Sequence, residues 1–531
     1  MNVGCKSKGE CLLRQNSKQD ALSFADPIPC EFLQVIRPRE RTDNNCISLN
    51  ADSTSTIPMK IKSLLIILGF TLSAVHAGET IRIAIGTQDT TTNTAAGGPV
   101  PRELKLVEKY LPRDGKYQDV SYDIQWKSFP SGPPLNSELL ANKLDIGQMA
   151  DFPAILGATA FQAANAGVRT YYIASLSGGV TGAGNALVVP KDSQIQSVAQ
   201  LKGKNVSVPF GSTAHAFLLR TLQDAGLDPE KDVNLISQAP DVGGSALRAN
   251  QIDAHANFVP FGELFAFRGF ARKILDGQST GVTTTHGIQV RSDFAERYPE
   301  LVVAYLKATL EADRIIQENP ERLSEDIAKW TGIDAEVVYA FHGPQGIQTR
   351  DYTLKPEFVN AIRQAQETLR ILKKVEKPIN VDEFVNDKFI RQAAKEFGYD
   401  YDARLKDYEA VPFEGKDSAS GEGITDSKQA GQIWVAGEEK VRLYKDVSST
   451  LSALAALEKE GRKARVVFVH DRETGLKLFA DKVWYVRSGD DITAFLEQSR
   501  AQQWAQNHNG KILTYAEARK FVDGERVAQA R

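Results

Sequence analysis

Between Thr80 and Val290 short apolar runs alternate with helical ones, and few folds accept that pattern. Thr80 to Gly86 (TIRIAIG), Val120 to Lys127 (VSYDIQWK), Leu144 to Gly147 and Thr170 to Leu176 read as strands. Helical stretches stand between them, at Pro101 to Tyr110, Leu135 to Asn142 and Phe152 to Ala166. Strands separated by helices predict an α/β layer with a largely parallel sheet. The glycine-dense SGGVTGAGN, Ser177 to Asn185, follows where the chain changes character, as a hinge that absorbs backbone rotation requires. A second alternation then begins with strands at Ala186 to Val189, Lys204 to Val208, Val233 to Ser237, Gln251 to Phe258 and Ala271 to Leu275. Thr283 to Val290 reads as a return crossing, and Ser292 to about Tyr399 as mostly amphipathic helix. The pattern predicts two α/β lobes joined by two crossings, closing on a ligand held between the carboxyl-end loops.

Length and charge set the remaining bounds. A chain of 531 residues is too long for one core. Its 64 basic and 67 acidic residues carry no bias toward polyanions, which argues against nucleic acid as a partner. At Met59 begins MKIKSLLIILGFTLSAVHA, with two lysines, an apolar run too short to span a bilayer, and small residues Val75 and Ala77 at cleavage positions. Residues 59–77 are expected to be a signal peptide cleaved after Ala77, and residues 1–58 upstream sequence from a misassigned start. All four cysteines, Cys5, Cys11, Cys30 and Cys46, lie in that upstream segment. The mature protein is therefore expected in a periplasm, with no disulfide, no lipid anchor and no stable membrane insertion.

The clearest candidate site is PFGSTAHAFLLR, Pro209 to Arg220, which follows an apolar strand. It sets Ser212 and Thr213 at a helix N-terminus, where unpaired amides and the helix dipole favour an anion. Either hydroxyl could equally serve only as a helix cap. In the first lobe, Thr87, Gln88 and Asp89 follow the first strand, and Gln148 to Phe152 sit at the end of another. Both are where an open α/β sheet binds ligands.

The string VPFGSTAHAFLLRTLQDAGLDPEKDVNLI, then SALRANQIDA and Pro260, resembles the solute-binding proteins of nitrate, taurine and alkanesulfonate ABC transporters. FPSGPP with NKLDIGQMADFPAI, and GNALVVPKDSQI, are similar to the same family. The resemblance covers about Thr80 to Tyr399 and implies an α/β, two-lobed, type II-like periplasmic-binding-protein fold. Lobe 1 is expected at about 78–183 and 285–399, and lobe 2 at about 184–284. It further implies capture of a small anionic solute of the sulfonate, taurine or nitrate class, delivery to an ABC-transporter permease, and no cofactor. Carried over residue by residue, the pocket would use Thr87, Gln88, Met149, Asp151, Phe152, Asn185, Ser212, Thr213, His215, Phe258 and Pro260. Phe258 and Val259 stand before Pro260 where the family often has Trp and a polar residue, so an apolar wall is expected there. His215 is open between ligand contact and packing.

Residues 400–430 read as a linker, and 431–531 as a small α+β domain. VVFVHDRETGLKLFADKVWYVRS and ITAFLEQSRAQQWAQNHNGKILTYAEA resemble the copper-binding accessory lipoprotein of nitrous-oxide reductase. Cu(I) selects sulfur ligands, and this stretch has neither Cys nor Met. His470 and His508, with Asp471, Asp481, Asp490 and Asp491, are the remaining donors, so docking onto the lobes or a second exported protein is the expected role. Copper delivery, and a thiamine-pyrimidine binder or related enzyme, stand as alternatives. No nucleophile and base, paired carboxylates or metal cluster shows motif-level spacing, and His255 and His286 are isolated on strands, so the reading is a binder and not an enzyme.

Overall fold

The computed structural model describes residues 79–165, 167–407 and 415–529. The signal-peptide reading of 59–77 and the exclusion of 1–58 lie outside the described residues.

The first eleven strands are β1 (Thr80–Thr87), β2 (Ser121–Ser128), β3 (Ile146–Ala150), β4 (Thr170–Gly179), β5 (Ala186–Pro190), β6 (Asn205–Val208), β7 (Asn234–Ser237), β8 (Ala254–Asn257), β9 (Ala271–Asp276), β10 (Thr284–Arg291) and β11 (Thr349–Arg350). They form two sheets, ordered β11-β4-β10-β3-β1-β2 and β7-β6-β8-β5-β9. In the first lobe β1 lies parallel to β2, with Thr80 opposite Ser121, and parallel to β3. β10 runs antiparallel to β3 and β4 because it re-enters the sheet from the second lobe. β1 and β3 are covered on both faces and so are almost continuously apolar, whereas edge strand β2 alternates exposed and half-buried residues. The expected strand at Leu144 to Gly147 lies further along, through Ala150, so that Asp151 and Phe152 open the helix Asp151–Ala164.

The crossings join β4 to β5 and β9 to β10. Strand β4 extends to Gly179, three residues into the expected hinge. Beyond it Gly182 and Gly184 take φ of 92° and 107°, and a Cβ at Gly182 would fall 2.5 Å from the Val282 carbonyl. Only glycine lets the crossings touch backbone to backbone at that point. Three helices of the return segment, Pro299–Glu318, Pro320–Thr331 and Ala335–His342, pack on the first lobe, and Pro356–Ile371 covers the Asp151–Ala164 helix and β10. Lobe 2 also buries a charged group: Lys273 Nζ donates to Glu263 and, at 3.0 Å, to Asp276.

The C-terminal part contains β12 (Gly431–Val435), β13 (Arg442–Tyr444), β14 (Ala464–His470), β15 (Lys477–Phe479), β16 (Trp484–Ser488), β17 (Asp491–Phe495) and β18 (Lys511–Leu513). They form sheets β13-β12-β14-β15 and β17-β16-β18. One face of the first is closed by the helix Val447–Lys459, through Ile433, Val435, Leu454 and Leu457. The expected linker differs from the structure. Tyr401–Arg404 is helical, and from Gly415 the chain folds onto this domain, with buried Asp417 accepting from Lys445 N at 2.8 Å and Ser418 N donating to Leu443 O at 2.8 Å. An Asp satisfied by backbone amides fixes a turn that composition alone reads as loose. Among the described residues no helix is long and apolar enough to cross a membrane.

Candidate functional site

Two helix N-termini meet between the lobes. Asp151–Ala164 begins where β3 ends, and Thr213–Asp224 begins after β6, and the two helices pack against each other. Each start has amides beyond the reach of intrahelical bonding, and Asp151, Phe152 and Thr213 of these first turns line one region, which runs on along the second helix to Gln223. A cavity of about 530 Å3 lies there, lined by Asp151, Phe152 and Thr284 of the first lobe and Asn185, Thr213 and Phe217 of the second, with Gly182 and residues 280–283 of the crossings beside them. The opposite wall is the Pro356–Ile371 helix, where apolar Ala361, Ala365 and Ile371, continued by Leu372, stand beside polar Gln364, Glu367 and Thr368.

Polar residues contribute about half of the lining, Thr284, Asp151 and Arg220 among them. Thr284 is buried and its Oγ1 has no hydrogen-bond partner among the described residues. That atom exposes less than 1 Å2, so a ligand oxygen reaches it as an acceptor only when a neighbouring group shifts. Asp151 accepts from Phe152 N at 2.7 Å through Oδ1 and from Thr285 N at 3.4 Å through Oδ2. Burial pushes its carboxyl up to about 7, against which those backbone donors act. Asp151, the first residue of its helix, is therefore largely neutral below that pH and adds little negative charge to the helix start. Arg220 reaches the rim, paired with Asp224 at 2.8 Å.

Of the residues singled out from sequence, Asp151, Phe152, Asn185 and Thr213 line this cavity together. The other seven do not line it. Thr87 Oγ1 donates to Asp89, and Gln88 Nε2 donates to Gln148 O at 2.8 Å, so both tie down the end of β1. Met149 points into the core with Leu135 and Leu139, because alternate residues of β3 face opposite sides. Ser212 is the helix cap: its Oγ accepts from His215 N and donates to Pro209 O at 2.6 Å. His215 stacks on Phe210 with ring centroids 4.5 Å apart, and burial together with nearby Lys374 lowers it to about 4. The apolar wall expected from Phe258 and Val259 is core of lobe 2 instead, since Phe258 packs edge-on against Phe261 and Pro260, after a cis peptide bond, turns the chain into the helix Phe261–Phe267. The sequence reads residues 358–374 as amphipathic helix, but it does not show that Thr284 and the Pro356–Ile371 helix line the cavity. The small-residue spacing Ala361, Ala365, Thr368 was the one signal for the latter.

The isolated histidines His255 and His286 are buried and do not line this cavity. His255 is held by Ser207 Oγ at 2.6 Å and Asn257 Nδ2 at 2.7 Å, and burial lowers both His255 and His286 to about 4. In the C-terminal domain His470 Nδ1 faces Ala430 O at 2.8 Å, while His508 stacks on Trp504 at 3.9 Å. Among the described residues no group of three or more His, Cys, Asp or Glu is arranged to hold a metal ion.

Comparison with known proteins places this site in context. The NMT1-like family matches residues 107–332. A putative aliphatic sulfonates-binding protein of Bacillus subtilis (strain 168) is 28% identical over 273 residues, 51% of this chain and 79% of that protein. One of the same description from Escherichia coli (strain K12) is 27% identical over 293 residues, 54% and 83% of the two chains. The structure of the alkanesulfonate-binding protein from Xanthomonas axonopodis pv. citri bound to MOPS aligns with a TM-score of 0.49 at 22% identity, covering 58% of this chain and 99% of that one.

Proposed function

We propose that this chain is the periplasmic solute-binding component of an ABC transporter and captures an organic sulfonate between its two lobes for delivery to a permease. The observation that carries this reading is that the first turns of two helices and Thr284, whose hydroxyl is unpaired, line one cavity together with apolar Ala361, Ala365, Ile371 and Leu372. The polar end suits a sulfonate, which takes several donors without a proton of its own. The apolar end suits a hydrocarbon body. A volume of about 530 Å3 lies in the range that holds an organic ligand, and nitrate would leave most of it empty. The relatives described as aliphatic sulfonates-binding proteins support the same class.

A binder fits this site better than an enzyme. None of the residues lining the cavity is His or Cys, so Asp151 has no imidazole or thiol beside it to complete a nucleophile and base. For the C-terminal domain we favour docking over copper delivery, because Cu(I) selects sulfur and residues 431–531 have no Cys or Met. Export through residues 59–77 is the route by which the chain reaches the periplasm in this reading.

Calorimetric titration with a linear alkanesulfonate, taurine and nitrate tests it. The alkanesulfonate is expected to bind tightest, and Thr213→Ala with Thr284→Ala to weaken it by about 2 kcal/mol, roughly thirtyfold, through loss of two bonds to a charged group. Equal affinity in the double variant would sink the assignment of the site.

A further inference from the structure

The C-terminal domain does not hang from the lobes; it grips both of them and the crossing between. Register places Trp434 opposite Val466, Gln432 opposite Phe468, and Phe468 opposite Phe479, so these side chains share one face of the β13-β12-β14-β15 sheet. That face is closed by the other domain. Tyr339 of the first lobe's Ala335–His342 helix packs on Trp434 at 5.3 Å and Phe468 at 5.9 Å between ring centroids. Around this contact Arg465 pairs with Glu336 at 2.8 Å and Glu325 at 2.5 Å, Lys440 pairs with Glu321 at 3.2 Å, and Lys477 Nζ donates to Pro344 O at 2.5 Å.

On the second lobe Phe267, at the end of the Phe261–Phe267 helix, packs on Phe479 at 5.4 Å. On the crossing that joins β9 to β10, Gln278 Nε2 donates to Thr474 O at 3.1 Å and Ser279 Oγ donates to Glu497 Oε1 at 2.6 Å. Opening the lobes turns the second about the crossings while the first stays fixed. A body bonded to all three must then let go of at least one.

We infer that the C-terminal domain is an intramolecular clamp that holds the two lobes closed over the cavity. The inference rests on the reading that ligand is captured between the lobes. Release of the clamp lets open forms compete, which lowers apparent affinity by the fraction of time the closed form is lost. Reciprocally, ligand in the cavity tightens the grip of the C-terminal domain.

The chain has no cysteine after Cys46, so cysteines introduced at two exposed positions, Asp123→Cys in lobe 1 and Lys231→Cys in lobe 2, take spin labels uniquely in the mature full-length protein. Inter-lobe distances are measured with and without Phe267→Ala and Ser279→Ala, which touch the clamp's contacts and not the cavity. The clamp predicts one narrow distance in the parent and a broader, longer distribution in the variant. It also predicts at least about fivefold weaker binding of a linear alkanesulfonate, the lower end of ordinary coupling. Identical distance distributions would overturn the inference, as would unchanged or tighter sulfonate binding. If neither protein binds the sulfonate, the functional reading fails while the distances still decide the clamp.

Discussion

Replacing Asp151 by Asn tests whether a buried, mostly neutral carboxyl sits at the heart of the site. Burial raises this group from its ordinary 3.8 to about 7. The folded chain then holds a proton between those values that the unfolded chain has released, so stability falls as pH rises through the window and levels off above about 7. The full penalty is about 4 kcal/mol, of which about 2 kcal/mol has accumulated by about pH 5. Roughly 2–3 kcal/mol therefore remains to be lost between about pH 5 and about pH 8. With about 2.1 cal/mol/K of unfolding entropy per residue over roughly 450 residues, 1 kcal/mol shifts Tm by about 1 °C. Asn imitates the protonated acid and does not titrate. The assay is thermal unfolding of both proteins across this range, read as the Tm of Asp151→Asn minus that of the parent, in which every other titrating group cancels. The difference is expected to rise by about 2–3 °C from about pH 5 to about pH 8. In the parent, sulfonate affinity should also fall above about pH 7, where the carboxylate opposes the anion. A Tm difference that does not change with pH would refute the buried, neutral Asp151.

The buried histidines act in the opposite sense. Burial lowers His215, His255, His286 and His470 to about 4 and His342 to about 3, so the stability of holding them neutral, present above about 6.5, is lost as pH falls toward 4; a Tm that stays flat from about pH 6 to about pH 4 would contradict this. Lys273→Met strands Glu263 and Asp276 in lobe 2 and should cost about 3–5 kcal/mol in urea unfolding, whereas a loss below about 1 kcal/mol would mean water reaches the pair. Gly243→Ala places a Cβ 2.2 Å from the His255 ring in the wall between the Pro240–Arg248 helix and β8, and about 1–3 kcal/mol of destabilisation is expected from the same measurement.

The two-lobed order of strands and helices was legible because each buried strand is apolar in a short, bounded run, and the crossing was legible because close backbone contact at Gly182 demands glycine. The Ser212–Thr213 stretch was legible as a helix start, but only the structure divides its labour, with Ser212 capping and Thr213 facing the cavity. Thr284 could not have been found by pattern. It begins a strand that reads as a simple return, and what singles it out is the set of neighbours that leave its hydroxyl unpaired. Phe258 was misplaced because an apolar residue at a strand end fits a ligand wall and a core equally well, and packing against Phe261 decides between them. Strand β12 carries apolar residues on both faces, Ile433 and Val435 toward the Val447–Lys459 helix and Trp434 toward Tyr339, so its pattern does not say that one face docks on another domain.

The most direct measurement is a crystal structure of the mature chain grown with an alkanesulfonate that carries bromine on its terminal carbon, located by anomalous scattering. The account predicts sulfonate oxygens at the start of the Thr213–Asp224 helix and on Thr284, with the bromine signal against Ala365 and Leu372. Bromine found anywhere else, or a cavity left without the sulfonate while calorimetry reports binding, would contradict it.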